Sequence, residues 1–473
     1  MATSSSHSDN TKITDQQNPE EKANDELSQH YRSQSRSASI KITKRTDLSV
    51  LYRVVRTLIR PIRPRLVKIG NDMPAGSQRL SAPKRRGCEA IESQREGVWE
   101  YTFRHVEASQ IQARSQSQSN SRSRSHLDKD NVINIDHEKA IRTTDSSSTS
   151  PNATSSSRKK QKHRIYYFSG GGFQSPPSGG HWLFLGKLAK DLQMSSSETD
   201  ATEFEVTLVA QPLAPASPAP DALPVLRRWV TSVLDDAARQ SDTDSTVTVT
   251  LAGDSSGGNV ALSLGLWAVQ ELPDLARNAL SSILVISPAV DLRNVNEEIK
   301  VADKYDPILT IGLTGDVACA WVGSVESKRR PKTNRTMTNT NRNTKTEMDK
   351  DTDTETEANK GVGMREMSTS DPSVSPLLHS DPTFEKLRDN QVCVHGVVGT
   401  HDVLAPDALE MMRKCDRFGV PGEWLVWEGQ MHCFPLAGVG DILGLREGKE
   451  ARMWIEDVLK RNVVRSREST CVV

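Results

Sequence analysis

The sequence predicts an α/β protein: one mostly parallel sheet covered by helices on both faces. Three observations carry this expectation. From about residue 163 onward, short runs rich in β-branched residues alternate with helical patterns. Those runs are nearly continuous in apolar character, as expected of strands buried on both faces. The polar excess behind a hydrophobic content of only 35% collects in a few separate runs, which leaves a well-populated core elsewhere.

The strand candidates are 164–168, 204–210, 245–253, 281–287, 391–399 and 422–429. Between them, 181–193, 224–240, 259–272 and 406–419 carry helical periodicity. In the second of these, Leu226, Trp229, Val230 and Val233 share one face. Sheets of this kind place reactive groups on loops beyond the carboxyl ends of the strands.

Residues 1–40 and 107–161 are dominated by Ser, Gln, Asn, Thr and charge and are expected to be disordered. A third such run, 326–361, reads as an insertion within a folded domain spanning 162–465, with 466–473 as a tail. Residues 41–106 form a separate N-terminal segment. Within it Leu48, Leu51, Tyr52, Val55, Leu58 and Ile59 give one apolar helical face, with Arg53, Arg56 and Arg60 elsewhere. That helix either docks on its own domain or lies on a membrane surface, so peripheral membrane contact through 48–68 stays open.

Bulk composition excludes several classes. Lys+Arg and Asp+Glu balance at 61 each, so no nucleic-acid partner is expected. The Ser/Arg runs lack an aromatic stacking platform and read as solvated tails. The six cysteines show no paired spacing, and no metal site is expected. Neither a secretory signal nor a run long enough to span a bilayer is evident, and a cytoplasmic location, with or without peripheral membrane association, is the expectation.

The stretch "GDSSGG" after "STVTVTLA" carries the chemistry. It is a G-x-S-x-G turn between a strand and a helix candidate, which places Ser255 on a strained elbow as nucleophile. Ser256 follows, and its backbone N–H at the helix start suits an oxyanion. A serine hydroxyl reacts only when a histidine removes its proton and a carboxylate steadies the imidazolium. Asp402 lies just past a late strand, and His432 follows the last strand candidate. Asp291 is the rival acid, after an earlier strand, while Asp407 reads as a first-turn helix residue. Gly170, Gly171 and Gly172 directly follow the first strand of this domain and can bring backbone N–H groups to a substrate oxygen. "GDSSGG" also echoes chymotrypsin-like proteases, but those place His and Asp before the serine, whereas here they follow.

Together "FSGGGF", "QPLAPASPAPDA", "GDSSGGN", "ISPAVDL", "DPSVSPL", "GTHDVLAPDA" and "GQMHCFPL" resemble the hormone-sensitive-lipase-like branch of the α/β-hydrolase fold, with its arylacetamide deacetylases and fungal steryl acetyl hydrolases. The resemblance covers about 163–322 and 368–460, and more loosely 45–105. It implies a carboxylic ester hydrolase for small to medium hydrophobic acyl substrates, acetyl esters such as steryl acetates included. It further implies no cofactor and an N-terminal helical cap. Carried over, Ser255 is the nucleophile, Asp402 the acid and His432 the base, with oxyanion donors at Gly171, Gly172 and Ser256. Phe173 and Trp182 are candidates for the substrate site or for helix packing. Ser169 stands where the family has a histidine that braces the glycine loop, and Gln211-Pro212 where it commonly has tyrosine-arginine. A second reading is a non-catalytic small-molecule receptor on the same fold, as in the plant gibberellin receptor. Retention of all three triad residues speaks against it.

Overall fold

The computed structural model describes residues 39–63, 73–83, 88–105, 160–194, 202–241, 245–324, 367–437 and 444–470. The runs expected to be disordered, 1–40, 107–161 and 326–361, lie outside the described residues except at their margins, where residues 40, 160 and 161 belong to strands.

In chain order the elements are β1 (Ile40–Arg45), α1 (Val50–Ile59), β2 (Cys88–Arg95), β3 (Val98–His105), β4 (Lys160–Phe168), α2 (Gly179–Met194), β5 (Thr202–Ala210), α3 (Ala219–Gln240) and β6 (Ser245–Asp254). There follow α4 (Ser255–Glu271), α5 (Pro273–Ala279), β7 (Leu280–Ile286), α6 (Glu298–Asp303), α7 (Ile311–Val322), α8 (Asp381–Asp389) and β8 (Cys393–His401). The chain closes with α9 (Ala405–Arg417), β9 (Gly422–Met431), α10 (Phe434–Ala437) and α11 (Arg446–Thr470). One nine-stranded sheet has the order β1-β9-β8-β7-β6-β4-β5-β3-β2. Strands β1 through β5 in that order pair parallel, and the β5–β3 and β3–β2 pairs are antiparallel, so β3 alone runs against the rest.

All six strand candidates and all four helix candidates form. The helical face of α3 named above is fully buried, and Trp229 meets Tyr166 and Phe168 edge-on at 5.3 and 5.5 Å. Two apolar cores form, one holding α3 and α4, the other holding α2 and α11. A parallel sheet needs this double cover, because both faces of its strands are apolar.

Among the described residues of the N-terminal segment are helix α1 and strands β1, β2 and β3, and these strands form both edges of the sheet. In β3 the alternating Tyr101 and Phe103 point into the core against α2. Helix α1 starts at Ser49, whose hydroxyl accepts from Tyr52 N–H at 3.1 Å. The Tyr52 hydroxyl donates to the Gly429 carbonyl at 2.8 Å, so α1 is docked on its own domain through one side. The C-terminal stretch 466–470, expected as a tail, continues α11.

Candidate active site

Strand β6 ends at Asp254 and α4 begins at Ser255 with nothing between. Turning that corner puts Ser255 at φ +53°, a left-handed conformation that costs energy for a residue with a Cβ. The glycine two positions on is a matter of space: a Cβ at Gly257 would lie 2.1 Å from the Phe168 carbonyl oxygen. The helix can therefore approach β4 only with glycine there.

Asp254, missed as a functional residue from sequence, is the hub of the elbow. Its buried carboxylate accepts from Tyr167 O–H and from Gly170 N–H, both at 2.9 Å, and lies 3.2 Å from His181 Nε2. His181 Nδ1 accepts from Ser178 N–H at 3.0 Å, so Nε2 carries the proton and donates to Asp254. Burial opposes ionisation of Asp254, but His181 together with the Gly170 and Tyr167 hydrogen bonds holds its pKa below the usual carboxylate value. The glycine loop is thus braced by Asp254 and His181, where the resemblance had looked to a histidine at position 169. The Ser169 carbonyl accepts from Gln211 Nε2 at 3.4 Å.

The acid and base meet on the opposite wall. His432 Nδ1 lies 2.9 Å from Asp402 Oδ2. Asp402 is fully buried, and its other oxygen accepts from Leu404 N–H at 2.9 Å. A carboxylate only accepts, so Nδ1 carries the proton and Nε2 presents its lone pair. Burial works against the imidazolium, yet the Asp402 charge and hydrogen bond, with Asp306 and Asp254 behind them, raise the His432 pKa above its ordinary value.

Asp306 is a second fully buried carboxylate on this wall, with no signal in the sequence. It accepts from Ile308 and Leu309 N–H at 2.6 and 2.8 Å and from Val403 N–H at 2.8 Å, clamping the chain beside Asp402. Burial and the neighbouring Asp402 charge push its pKa up to about 6.

The elbow and the histidine loop adjoin through Cys433, also missed from sequence. Its thiol lies 3.4 Å from His432 Nε2 and 3.6 Å from Asp254 Oδ2, and its N–H donates to Ser287 Oγ at 3.2 Å. Two residues on, Ala289 N–H donates to the Ser255 carbonyl at 3.2 Å. Burial, then the Asp254 charge, keeps the thiol protonated, so it serves as a weak donor. Ser255 Oγ is half-buried and has no hydrogen-bond partner among the described residues, and Nε2 meets the thiol instead. Such hydrogen bonds are often long before substrate arrives and tighten in the reacting complex.

Gly171 and Gly172 adopt φ +138° and +62°, and the loop closes through Gln174 and Ser175 N–H donating to the Gly171 carbonyl. The N–H groups of Gly171, Gly172 and Ser256 find no acceptor among the described residues. Ser256 Oγ is buried and unpartnered. Phe173 stacks on Trp321 of α7 at 4.4 Å and 8° and is 1% exposed. Trp182 packs edge-on against Tyr101 at 5.4 Å on the other side of the chain's core. Both rings are buried. The rival acid Asp291 is engaged by Arg293 at 2.6 Å, and Asp407 by Asn296 at 2.8 Å.

Among the described residues no helix is long and apolar enough to cross a membrane. Residues 165–344 match a family described as having the alpha/beta hydrolase fold. An esterase from Acinetobacter venetianus is 30% identical over 132 residues, which are 28% of this chain and 40% of that protein. The chain therefore matches less than half the length of that relative. The solved carboxyl esterase 2 of the mycorrhizal fungus Tuber melanosporum superposes with a TM-score of 0.52 at 15% identity, covering 88% of this chain and 99% of that one. A hormone-sensitive lipase from a metagenome library gives 0.52 at 16% identity, with 88% and 99% covered. Likeness at such identity is one of architecture, and it agrees with the sheet order and the elbow: the chain has the α/β-hydrolase fold.

Proposed function

We propose that the chain is a carboxylic ester hydrolase working through Ser255, His432 and Asp402, on small to medium hydrophobic acyl esters, acetyl esters among them. The supporting observation is the Asp402–His432 pair at 2.9 Å, which leaves an Nε2 lone pair that the Cys433 thiol links to Asp254, the residue before Ser255. In the proposed reaction His432 Nε2 takes the Ser255 proton as Oγ bonds to the ester carbonyl carbon. The carbonyl oxygen becomes an oxyanion and accepts from the unengaged N–H groups of Gly171, Gly172 and Ser256. Collapse breaks the ester C–O bond, and the departing alcohol takes the proton from His432. Water then adds to the acyl-enzyme through the same histidine, releasing the acid and restoring Ser255.

Labelling by a fluorophosphonate probe, with p-nitrophenyl esters of rising chain length, tests the reading. Wild type should label and hydrolyse the shorter esters, and Ser255→Ala should do neither. Absence of labelling in folded wild type would favour a receptor, and labelling that persists in the variant would move the nucleophile, with Ser256 next in line.

A further inference from the structure

Helix α1 docks through Tyr52 and Val55 and turns its other side outward. Val50, Leu51, Val54 and Leu58 are 77%, 51%, 49% and 68% exposed. Their spacing makes one stripe along the helix. The stripe continues onto Ile62 and then onto Val301 and Tyr305 at the end of α6. Arg63 pairs with Asp303 at 2.6 Å and Arg60 donates to the Lys304 carbonyl, which ties the two elements into one face. Seven of the twelve large apolar side chains exposed among the described residues fall on it, so this is a patch and not scatter.

Charge along α1 has one sign. Arg53, Arg60 and Lys304 have no carboxylate partner among the described residues, and no acidic residue occurs between Ser49 and Arg63. Of the acids around it, Asp303 pairs with Arg63, Glu297 pairs with Lys300, and Glu447 is buried and accepts from Ser49 N–H. An apolar stripe flanked by cations that have no carboxylate partner among the described residues suits a partner that is anionic at its surface and yields to apolar side chains beneath. A nucleic acid supplies only the first property. We propose that α1 with the end of α6 seats this protein on the surface of an anionic lipid bilayer, the apolar stripe entering the interface while Arg53, Arg60 and Lys304 meet headgroups. This face also adjoins the proposed site: Tyr305 stacks on His401 at 5.2 Å, and its neighbour Asp306 holds the Val403 N–H beside Asp402. Docking would therefore set the acid loop close to the lipid boundary, where apolar esters dissolve.

The test is co-sedimentation of the full chain with vesicles of phosphatidylcholine, with and without phosphatidylserine. Its readout is independent of hydrolysis, so failure here leaves the esterase reading standing. Wild type should bind the anionic vesicles at least about tenfold more strongly than the neutral ones, with binding lost as salt rises. Val54→Asp/Leu58→Asp should weaken that binding by at least about tenfold with the melting temperature unchanged. The milder Leu58→Ser and the charge reversal Arg53→Glu should each weaken it several-fold. No binding by wild type, equal binding to neutral vesicles, or undiminished binding by the folded double variant would each overturn the proposal. So would a dimer that the double variant dissolves in the absence of vesicle binding, because the face would then belong to a second copy.

Discussion

Replacing Asp402 by asparagine changes one atom and should nearly abolish turnover. In wild type, Leu404 N–H donates to Asp402 Oδ1 and His432 Nδ1 faces Oδ2. An asparagine keeps its carbonyl oxygen opposite the Leu404 donor, which turns its NH2 toward His432. Nδ1 must then accept, the imidazole proton moves to Nε2, and the lone pair that would take the Ser255 proton is gone. Wrong-tautomer substitutions of this kind cost about 10⁴-fold in kcat, which is about 5.5 kcal/mol of barrier at ~1.36 kcal/mol per decade. The assay is kcat on p-nitrophenyl butyrate at neutral pH, with the melting temperature as control for folding. A folded Asp402→Asn protein within tenfold of wild type would refute both the tautomer argument and the assignment of Asp402 as the orienting acid.

Asp306→Asn removes a negative charge that favours the His432 imidazolium. Because the base must be unprotonated, activity is lost as pH falls through the His432 pKa, and the variant should keep activity to lower pH; a pH profile of kcat/KM that does not move on its acid limb would contradict this. His181→Ala removes a hydrogen-bond donor from the buried Asp254 carboxylate, so the melting temperature should fall and kcat should drop with little change in KM, as the glycine loop loses its brace; stability should fall by about 1–3 kcal/mol, measured by denaturant unfolding. Gly257→Ala places a methyl group where the Phe168 carbonyl already lies, and the protein should fail to accumulate in folded form or lose the elbow, read by circular dichroism and probe labelling.

The strands and helices of the α/β unit were legible because burial on both faces writes near-continuous apolar runs, while helices such as α3 write a 3.6-residue period. The edge strands β2 and β3 were not, although Tyr101 and Phe103 alternate with polar positions. Their segment also contains α1, and an edge hairpin carries only a half-buried pattern. Strand β1 pairs with β9 from the far end of the sequence, a contact no local pattern encodes.

The motif residues of the site were readable for the same reason they are needed: glycines and a serine at a strand-to-helix corner answer a local steric demand. The sequence placed Ser255 on a strained strand-to-helix corner, where it takes a positive φ, and set Asp402 and His432 after two later strands. Asp254, His181, Asp306 and Cys433 acquire their roles only in three dimensions. Each sits where two loops from distant segments close on one buried polar atom that must find a partner. Phe173 and Trp182 mark the same boundary from the other side: an aromatic beside a glycine loop reads alike whether it meets a substrate or Trp321. Only packing, which depends on which helix the fold brings opposite, decided that both are core.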